Sequence, residues 1–175
     1  LKLLKSKKNR IILIQKKQIT NRRSIRTILN GTLQQDMDTI QNNRKNWKLV
    51  TETRASLFEL EDLEFANKIV KYSKSNAIVL VKNKQMVSSG VGQTSRIDAL
   101  NFAINKAKRI GLDTNNSVMA SDAFFPFPDC VQIAFKAGIN SIVQPGGSIK
   151  DDLSIIACNE NKISMFFSGI RHFYH

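Results

Sequence analysis

Hydrophobic positions recur at helical spacing through Leu60, Leu63, Ile69 and Val70, and Ser56 with Glu59 three residues on is a capping-box signal ahead of them. This pattern predicts an amphipathic helix from Ser56 to Tyr72. After Lys74-Ser75-Asn76 the period changes. Ala77 to Val81 is a continuous aliphatic run, and Lys82-Asn83-Lys84 is short enough to turn it into a second strand over Gln85 to Ser88. Helical spacing returns behind Ser95 as cap, with Ile97, Leu100, Ala103, Ile104 and Ala107 on one side and an end before Gly111. The chain then alternates: strand Ser117 to Ala120, helix Pro128 to Ala137 stopped by Gly138, strand Ser141 to Gln144, helix Ile149 to Asn159, strand Ile163 to Phe167. Pro128 suits a first helical position, and Ser148 followed by Asp151 suits a cap. Short strands alternating with helices predict an α/β fold of mostly parallel strands, whose ligands gather at the carboxyl ends.

Four loops lie at such ends or beside them: Gly90 to Arg96, Ser121 to Asp129, Gln144 to Ser148, and Ser168 to His175. The second holds three of the ten phenylalanines, Phe124, Phe125 and Phe127, with Pro126 and Pro128, between Asp122 and Asp129. Stiff, apolar and edged with acceptor oxygens, it suits a flat ligand with a polar rim; the same composition suits a core plug beneath a loop. The last five residues, Arg171-His172-Phe173-Tyr174-His175, contain both histidines of the chain. They offer a guanidinium fork for phosphate or carboxylate, an aromatic face and hydrogen bonds near neutral pH, or they form a solvated tail. His172 and His175 are spaced for chelation, but no third ligand presents itself. Gln144-Pro-Gly-Gly-Ser148 has neither the lysine of a P-loop nor dinucleotide-binding spacing, so a tight turn with a cap is the plainer reading. Gly90-Val-Gly92 is better placed for an anion, because Arg96 follows just ahead of a helix.

Composition refines this picture. With 175 residues and 42% hydrophobic content, the chain is expected to form one domain with a core of its own. Its longest aliphatic runs, Ile11 to Ile14 and Ala77 to Val81, fall short of a membrane span or a signal-peptide core, so a cytoplasmic location is expected. Cys130 and Cys158 lie in predicted helices without metal-binding spacing and read as buried thiols rather than a disulfide or a zinc site. The net charge of +13 is concentrated: residues 1 to 54 hold 14 basic and 3 acidic side chains, residues 55 to 175 hold 13 and 11. That contrast separates a looser basic segment, 1–54, from a compact α/β part, 55–175. A basic nucleic-acid-binding module is the alternative this raises, but Lys2, Lys5, Lys7 and Lys8 have no interleaved aromatics for base stacking. Leu1-Lys-Leu-Leu-Lys5 reads as a helix already under way, and we expect a fragment of a longer polypeptide.

In order, Lys74-Ser75-Asn76, Gly90-Val-Gly-Gln-Thr-Ser-Arg96, Ser121-Asp-Ala-Phe-Phe-Pro-Phe-Pro-Asp129, Gln144-Pro-Gly-Gly-Ser-Ile-Lys-Asp-Asp152 and Arg171-His-Phe-Tyr-His175 resemble the bifunctional AICAR formyltransferase/IMP cyclohydrolase family. The resemblance covers the whole chain, is strongest after Lys74, and is looser around Lys7-Lys8-Asn9 and Asn30-Gly31-Thr32-Leu33. It implies the C-terminal half of the transformylase domain, with the cyclohydrolase domain and the start of the transformylase domain upstream. The implied fold is a cytidine-deaminase-like layered sheet without zinc. The implied reaction moves a formyl group from formyl-tetrahydrofolate, a folate co-substrate, to the amine of AICAR during IMP biosynthesis, in a homodimer whose sites form between intertwined subunits.

Carried over by position, the resemblance implies that Asn76 orients the reacting groups and that Asp129 is a polar contact beside the reacting centre. Arg96, Phe124, Arg171 and Phe173 would meet the substrate, with Arg171 on its phosphate. Ile97, Pro126, Phe127 and His175 would border the folate, and Ser75 and Asp122 would stand near a monovalent cation such as potassium. Two departures stand out. Pro128 replaces an arginine common in the family, and the family's catalytic Lys-His pair would lie upstream of Leu1, so this chain alone is expected to be catalytically incomplete.

Overall fold

A computed structural model describes residues 16, 23–172 and 174. The helical reading at Leu1 to Lys5, the Lys7-Lys8-Asn9 match and the expectations on Phe173 and His175 lie outside the described residues. The chain divides into two compact units, Leu1–Ile40 and Gln41–His175. In the first, β1 (Arg23–Ile28) pairs antiparallel with β2 (Gly31–Asp36), from Arg23↔Asp36 to Ile28↔Gly31. The hydrophobic pattern does not announce this hairpin. Ile25, Ile28 and Leu33 are exposed, so no buried face imposes an alternation, and Asn30-Gly31 at the turn is the only local signal.

In the second unit, the order of elements is β3 (Lys48–Leu49), α1 (Leu57–Lys71), β4 (Ile78–Lys82), β5 (Gln85–Gly90), α2 (Arg96–Arg109), β6 (Ser117–Ser121), α3 (Asp129–Lys136), β7 (Ile139–Gln144), α4 (Asp151–Glu160) and β8 (Ser164–Phe167). They build one six-stranded sheet in the order β3-β8-β7-β6-β4-β5. The β6–β7 and β7–β8 pairs are parallel, as strands linked by crossover helices require. β4 is antiparallel to both β5 and β6, and β3 is antiparallel to β8. Four strands therefore share a direction while β3 and β4 oppose them. The reversal of β4 matters for function, because it sets the amino end of β4 beside the carboxyl ends of β5 and β6. Ile78 pairs with both Gly90 and Ser121 at that edge.

Local chemistry explains the element boundaries. The Ser56 hydroxyl accepts the Glu59 N–H at 3.3 Å and the Glu59 carboxylate accepts the Ser56 N–H at 2.7 Å, completing the capping box. Ser95 accepts the Asp98 N–H at 3.1 Å and opens α2. Two starts differ from expectation. α3 begins one residue later, leaving Pro128 at the N-cap position with no side-chain bond. At α4 the Ser148 hydroxyl accepts the Lys150 N–H, while Asp151 reaches back to the Gly147 and Ser148 N–H groups, so the capping is inverted. The turn between β4 and β5 puts Asn83 and Lys84 at φ 54° and 59°, the double positive-φ turn that matches strand twist. Buried Asp62 of α1 accepts both of its N–H groups, at 2.7 and 2.6 Å.

Side-chain alternation distributes the core between two faces. Ile78, Leu80 and Met119 pack with Leu100, Ala103 and Val131 under α2, α3 and α4, whereas Val79, Val81 and Val118 pack with Leu63, Ala66 and Val70 under α1. The result is an α/β/α layering. α2 lies so close to β5 that a Cβ on Gly90 would fall 1.9 Å from the Ala99 carbonyl oxygen, so only glycine fits. Among the described residues, no helix is long and apolar enough to cross a membrane.

Both cysteines are buried, and burial pushes their thiols up to about 12 from an ordinary 9.0; the negative charge of Asp129 adds to the effect at Cys130. A raised folded-state pKa stabilises the fold fully below the unfolded thiol value, and that share is lost as pH climbs from 9 toward 12. Thermal unfolding should therefore show a decline above pH 9 that is shallower in a Cys130→Ala, Cys158→Ala variant; equal slopes would contradict it. Asp62→Ala removes two charge-assisted hydrogen bonds to the β4–β5 turn, and urea denaturation should show a loss of about 2–3 kcal/mol with an unchanged m-value.

Candidate functional site

The reversed β4 brings three chain segments onto one buried carboxylate. Asp122, just past β6 and 1% exposed, accepts the Ala77 N–H at 3.1 Å and forms an ion pair with Arg96, itself 7% exposed at the start of α2. Charges this deep are tolerated only when paired and hydrogen-bonded. A second N–H of Arg96 reaches the Asn76 Oδ1 at 2.8 Å. The Asn76 amide nitrogen in turn donates to the Gln93 and Thr94 carbonyls at 3.0 and 3.2 Å, and the two backbones of Asn76 and Gln93 exchange N–H···O bonds. The Ser75–Asn76 peptide is cis. Asn76, Arg96 and Asp122 thus form one knot, with Ser75 at its edge. The other Asp122 oxygen, Oδ2, is buried without a partner among the described residues.

The phenylalanine block is both plug and wall. Phe125 is fully buried in the core, whereas Phe124 is half-buried, Phe127 is 49% exposed and Pro126 is exposed. The chain leaves the core after Phe125, so Pro126 and Phe127 both face outward. The Phe125 N–H donates to the side-chain oxygen of Gln144 at 3.1 Å. The Lys150 ammonium sits 4.2 Å from the centre of the Phe127 ring, a cation–π contact at the rim. Asp129 is half-buried at the start of α3 and accepts the N–H of Cys130 at 2.8 Å. Ile97 is half-buried and packs against the core.

The described part of the C-terminal tail is docked on the same edge. Ser168 donates its N–H to the Gln144 carbonyl at 2.8 Å, and His172, buried, donates its N–H to the Asp122 carbonyl at 3.1 Å. Tyr174 and Ser75 bond in both directions, through the Ser75 N–H at 2.7 Å and the Ser75 hydroxyl at 3.0 Å. Arg171 is exposed. Asp151 already occupies the Gly147 and Ser148 amides of the Gly-Gly loop, leaving no open anion cradle there. Among the described residues, no group of three His, Cys, Asp or Glu side chains is arranged to hold a metal ion. Gln144, Lys150 and Ser168 were not singled out in the sequence. Gln144 carried a signal nonetheless, as an uncharged polar residue directly after the aliphatic pair Ile142-Val143.

A sequence model of the AICARFT/IMPCHase bienzyme matches residues 1–106. The chain belongs to this family. It is 57% identical over 175 residues to the bifunctional purine biosynthesis protein PurH of Bacteroides thetaiotaomicron, covering 100% of this chain and 34% of that protein. It is 48% identical over 151 residues to the PurH protein of Aquifex aeolicus, covering 86% of this chain and 29% of that protein. The chain thus spans about a third of the length of the curated family members it matches. Among solved structures, a dCMP deaminase from the cyanophage S-TIM5 aligns with a TM-score of 0.43 and 14% identity, over 64% of this chain and 98% of its own.

In this family member, Asp122→Asn should leave Arg96 as an uncompensated buried charge and cost about 3 kcal/mol or more by urea denaturation. Adding Arg96→Met should restore part of that loss. Strict additivity of the two substitutions would show that the pair is not coupled.

Proposed function

We propose that this chain is the C-terminal part of the transformylase domain of a bifunctional AICAR formyltransferase/IMP cyclohydrolase. On this reading it forms one wall of the site where a formyl group passes from formyl-tetrahydrofolate to AICAR in a homodimer. The observation that carries the reading is convergence. The five sequence blocks that resemble the family, far apart in the chain, meet at one edge of the sheet and are hydrogen-bonded to one another there.

The chemistry asks for a weakly nucleophilic amine held against a formyl carbon, donors for the oxyanion that develops, and an acceptor for the departing proton. Asn76 is held at both ends of its amide, which suits it to orient the reacting groups through a fixed backbone rather than a mobile side chain. Arg96 spends two N–H groups on Asp122 and Asn76 and keeps further donors for the nucleotide. Phe124 offers its half-exposed ring to the heterocycle, while Pro126 and Phe127 carry that apolar surface toward the folate, with Ile97 a further folate contact on this reading. Asp129 lies at the end of the wall as the polar contact. Exposed Arg171 receives the ribonucleotide phosphate through its planar fork, and the resemblance adds Phe173 as a substrate contact and His175 as a folate contact. Neither buried thiol serves as a nucleophile, since both stay protonated at neutral pH.

The partnerless Asp122 Oδ2 fits a monovalent cation, and Ser75, two residues before the Ala77 whose N–H meets the other Asp122 oxygen, is the second ligand we propose. Potassium held there by Asp122 and Ser75 would supply counter-charge to a carboxylate only half satisfied. The cytidine-deaminase-like layering belongs to the same reading.

Steady-state formyl transfer by the full-length enzyme containing this chain tests the assignment. Arg171→Ala should raise KM for AICAR about ten- to a hundredfold, the factor expected for a lost charge-assisted hydrogen bond. Phe124→Ala should lower kcat/KM by about tenfold or more. Normal kinetics in both variants would sink the site assignment.

A further inference from the structure

We infer that Gln144 is a positioning residue for this site: it holds the aromatic wall and the C-terminal tail in a fixed relation without touching either ligand. The inference rests on the formyl-transfer reading of these loops. Gln144 is the last residue of β7, fully buried, between Val143 in the core and Pro145. Its side-chain oxygen accepts the Phe125 N–H at 3.1 Å, its backbone carbonyl accepts the Ser168 N–H at 2.8 Å, and its amide nitrogen lies 3.4 Å from the Met165 sulfur. One residue therefore bonds two separate loops, each of which carries proposed ligand contacts.

These bonds close a ring. From Asp122 the chain runs to Phe125, whose N–H is on Gln144; the Gln144 carbonyl holds Ser168; and four residues on, His172 returns to the Asp122 carbonyl at 3.1 Å. The buried Phe125 ring fixes how deep the wall sits, and the Gln144 bond fixes where its backbone lies along the sheet edge. Without that bond the Phe125 N–H is left unpaired in an apolar setting, and the loop must shift to find another acceptor. A shift there displaces Phe124 and Phe127 relative to Arg171, and each ligand must then restore the wall on binding, at a cost to its affinity. A purely architectural glutamine would affect stability but not the relation between the two ligand sites.

The test uses the full-length enzyme with Gln144→Leu and Gln144→Glu. Gln144→Leu should raise KM for both AICAR and formyl-tetrahydrofolate about tenfold, with kcat changed by less than about threefold, as for a bond that orders the site before binding. Gln144→Glu retains an acceptor oxygen, and its neutral form has nearly the shape and hydrogen-bonding pattern of the amide. Because burial raises the pKa of a carboxyl, its KM values relative to wild type should fall back toward unity between about pH 8 and about pH 6, while the Gln144→Leu ratio stays flat. Wild-type KM values in folded Gln144→Leu, or a Gln144→Glu defect that does not respond to pH, would overturn the inference. If Gln144→Leu does not fold, the pH response of Gln144→Glu decides alone. Impaired Phe124→Ala and Arg171→Ala enzymes beside normal Gln144 variants would overturn this inference and spare the site reading. Absence of formyl transfer in the wild-type enzyme would remove both.

Discussion

The carboxylate of Asp122 is buried among apolar strands, and most of the arrangement at this edge of the sheet follows from meeting its requirements. A carboxylate in that position costs far more free energy than the fold can supply unless a cation and several N–H groups reach it. Arg96 provides the cation from the first turn of α2, and Ala77 provides an N–H from the approach to β4. The Asp122 backbone then accepts His172 from the tail. Once these bonds are made, α2, β4 and the tail have little freedom to sit anywhere else, and Asn76 and Arg96 are placed as a consequence.

That placement depends on β4 running against its neighbours. Had it been parallel to β6, Asn76 would lie at the opposite edge from Asp122, some five residues of strand away. The hairpin between β4 and β5 produces the reversal, and its tight turn at Asn83 and Lys84 is held by Asp62 from α1. A polar residue on one helix therefore helps decide which loops meet at this edge of the sheet. The parallel strands β6, β7 and β8 contribute in the way expected of crossover units, with the loops after them lining the same edge.

Much of this was legible in the sequence because local chemistry decided it. Ser56 with Glu59 and Ser95 ahead of Arg96 mark helix starts that are hydrogen-bonded as expected, and the aliphatic run through Val81 reads as a strand buried on both faces. The chain was less legible where partners are distant. The β1–β2 hairpin has no buried face to impose alternation. The reach of Asp151 back to Gly147 inverts a cap that spacing alone would assign to Ser148. In the phenylalanine block, composition allowed a plug or a wall and could not say which ring did which; the depth of Phe125 is set by the core it fills, formed by strand residues and by α2, α3 and α4 on one face of the sheet. Gln144 escaped notice because its partners, Phe125 and Ser168, lie 19 residues before it in sequence and on a loop beyond the next strand.

Pairing also determines what Arg96 can do. Its charge is largely cancelled by Asp122, so on the formyl-transfer reading it offers directed N–H groups and shape rather than a net field. On the same reading exposed Arg171 attracts the anionic nucleotide and holds its phosphate. The two arginines then divide the work, one steering and anchoring a phosphate, the other fixing orientation near the reacting atoms. A cation at Asp122 Oδ2 would sharpen this division. Bound there on that reading, it would share the carboxylate with Arg96 and leave the guanidinium more positive.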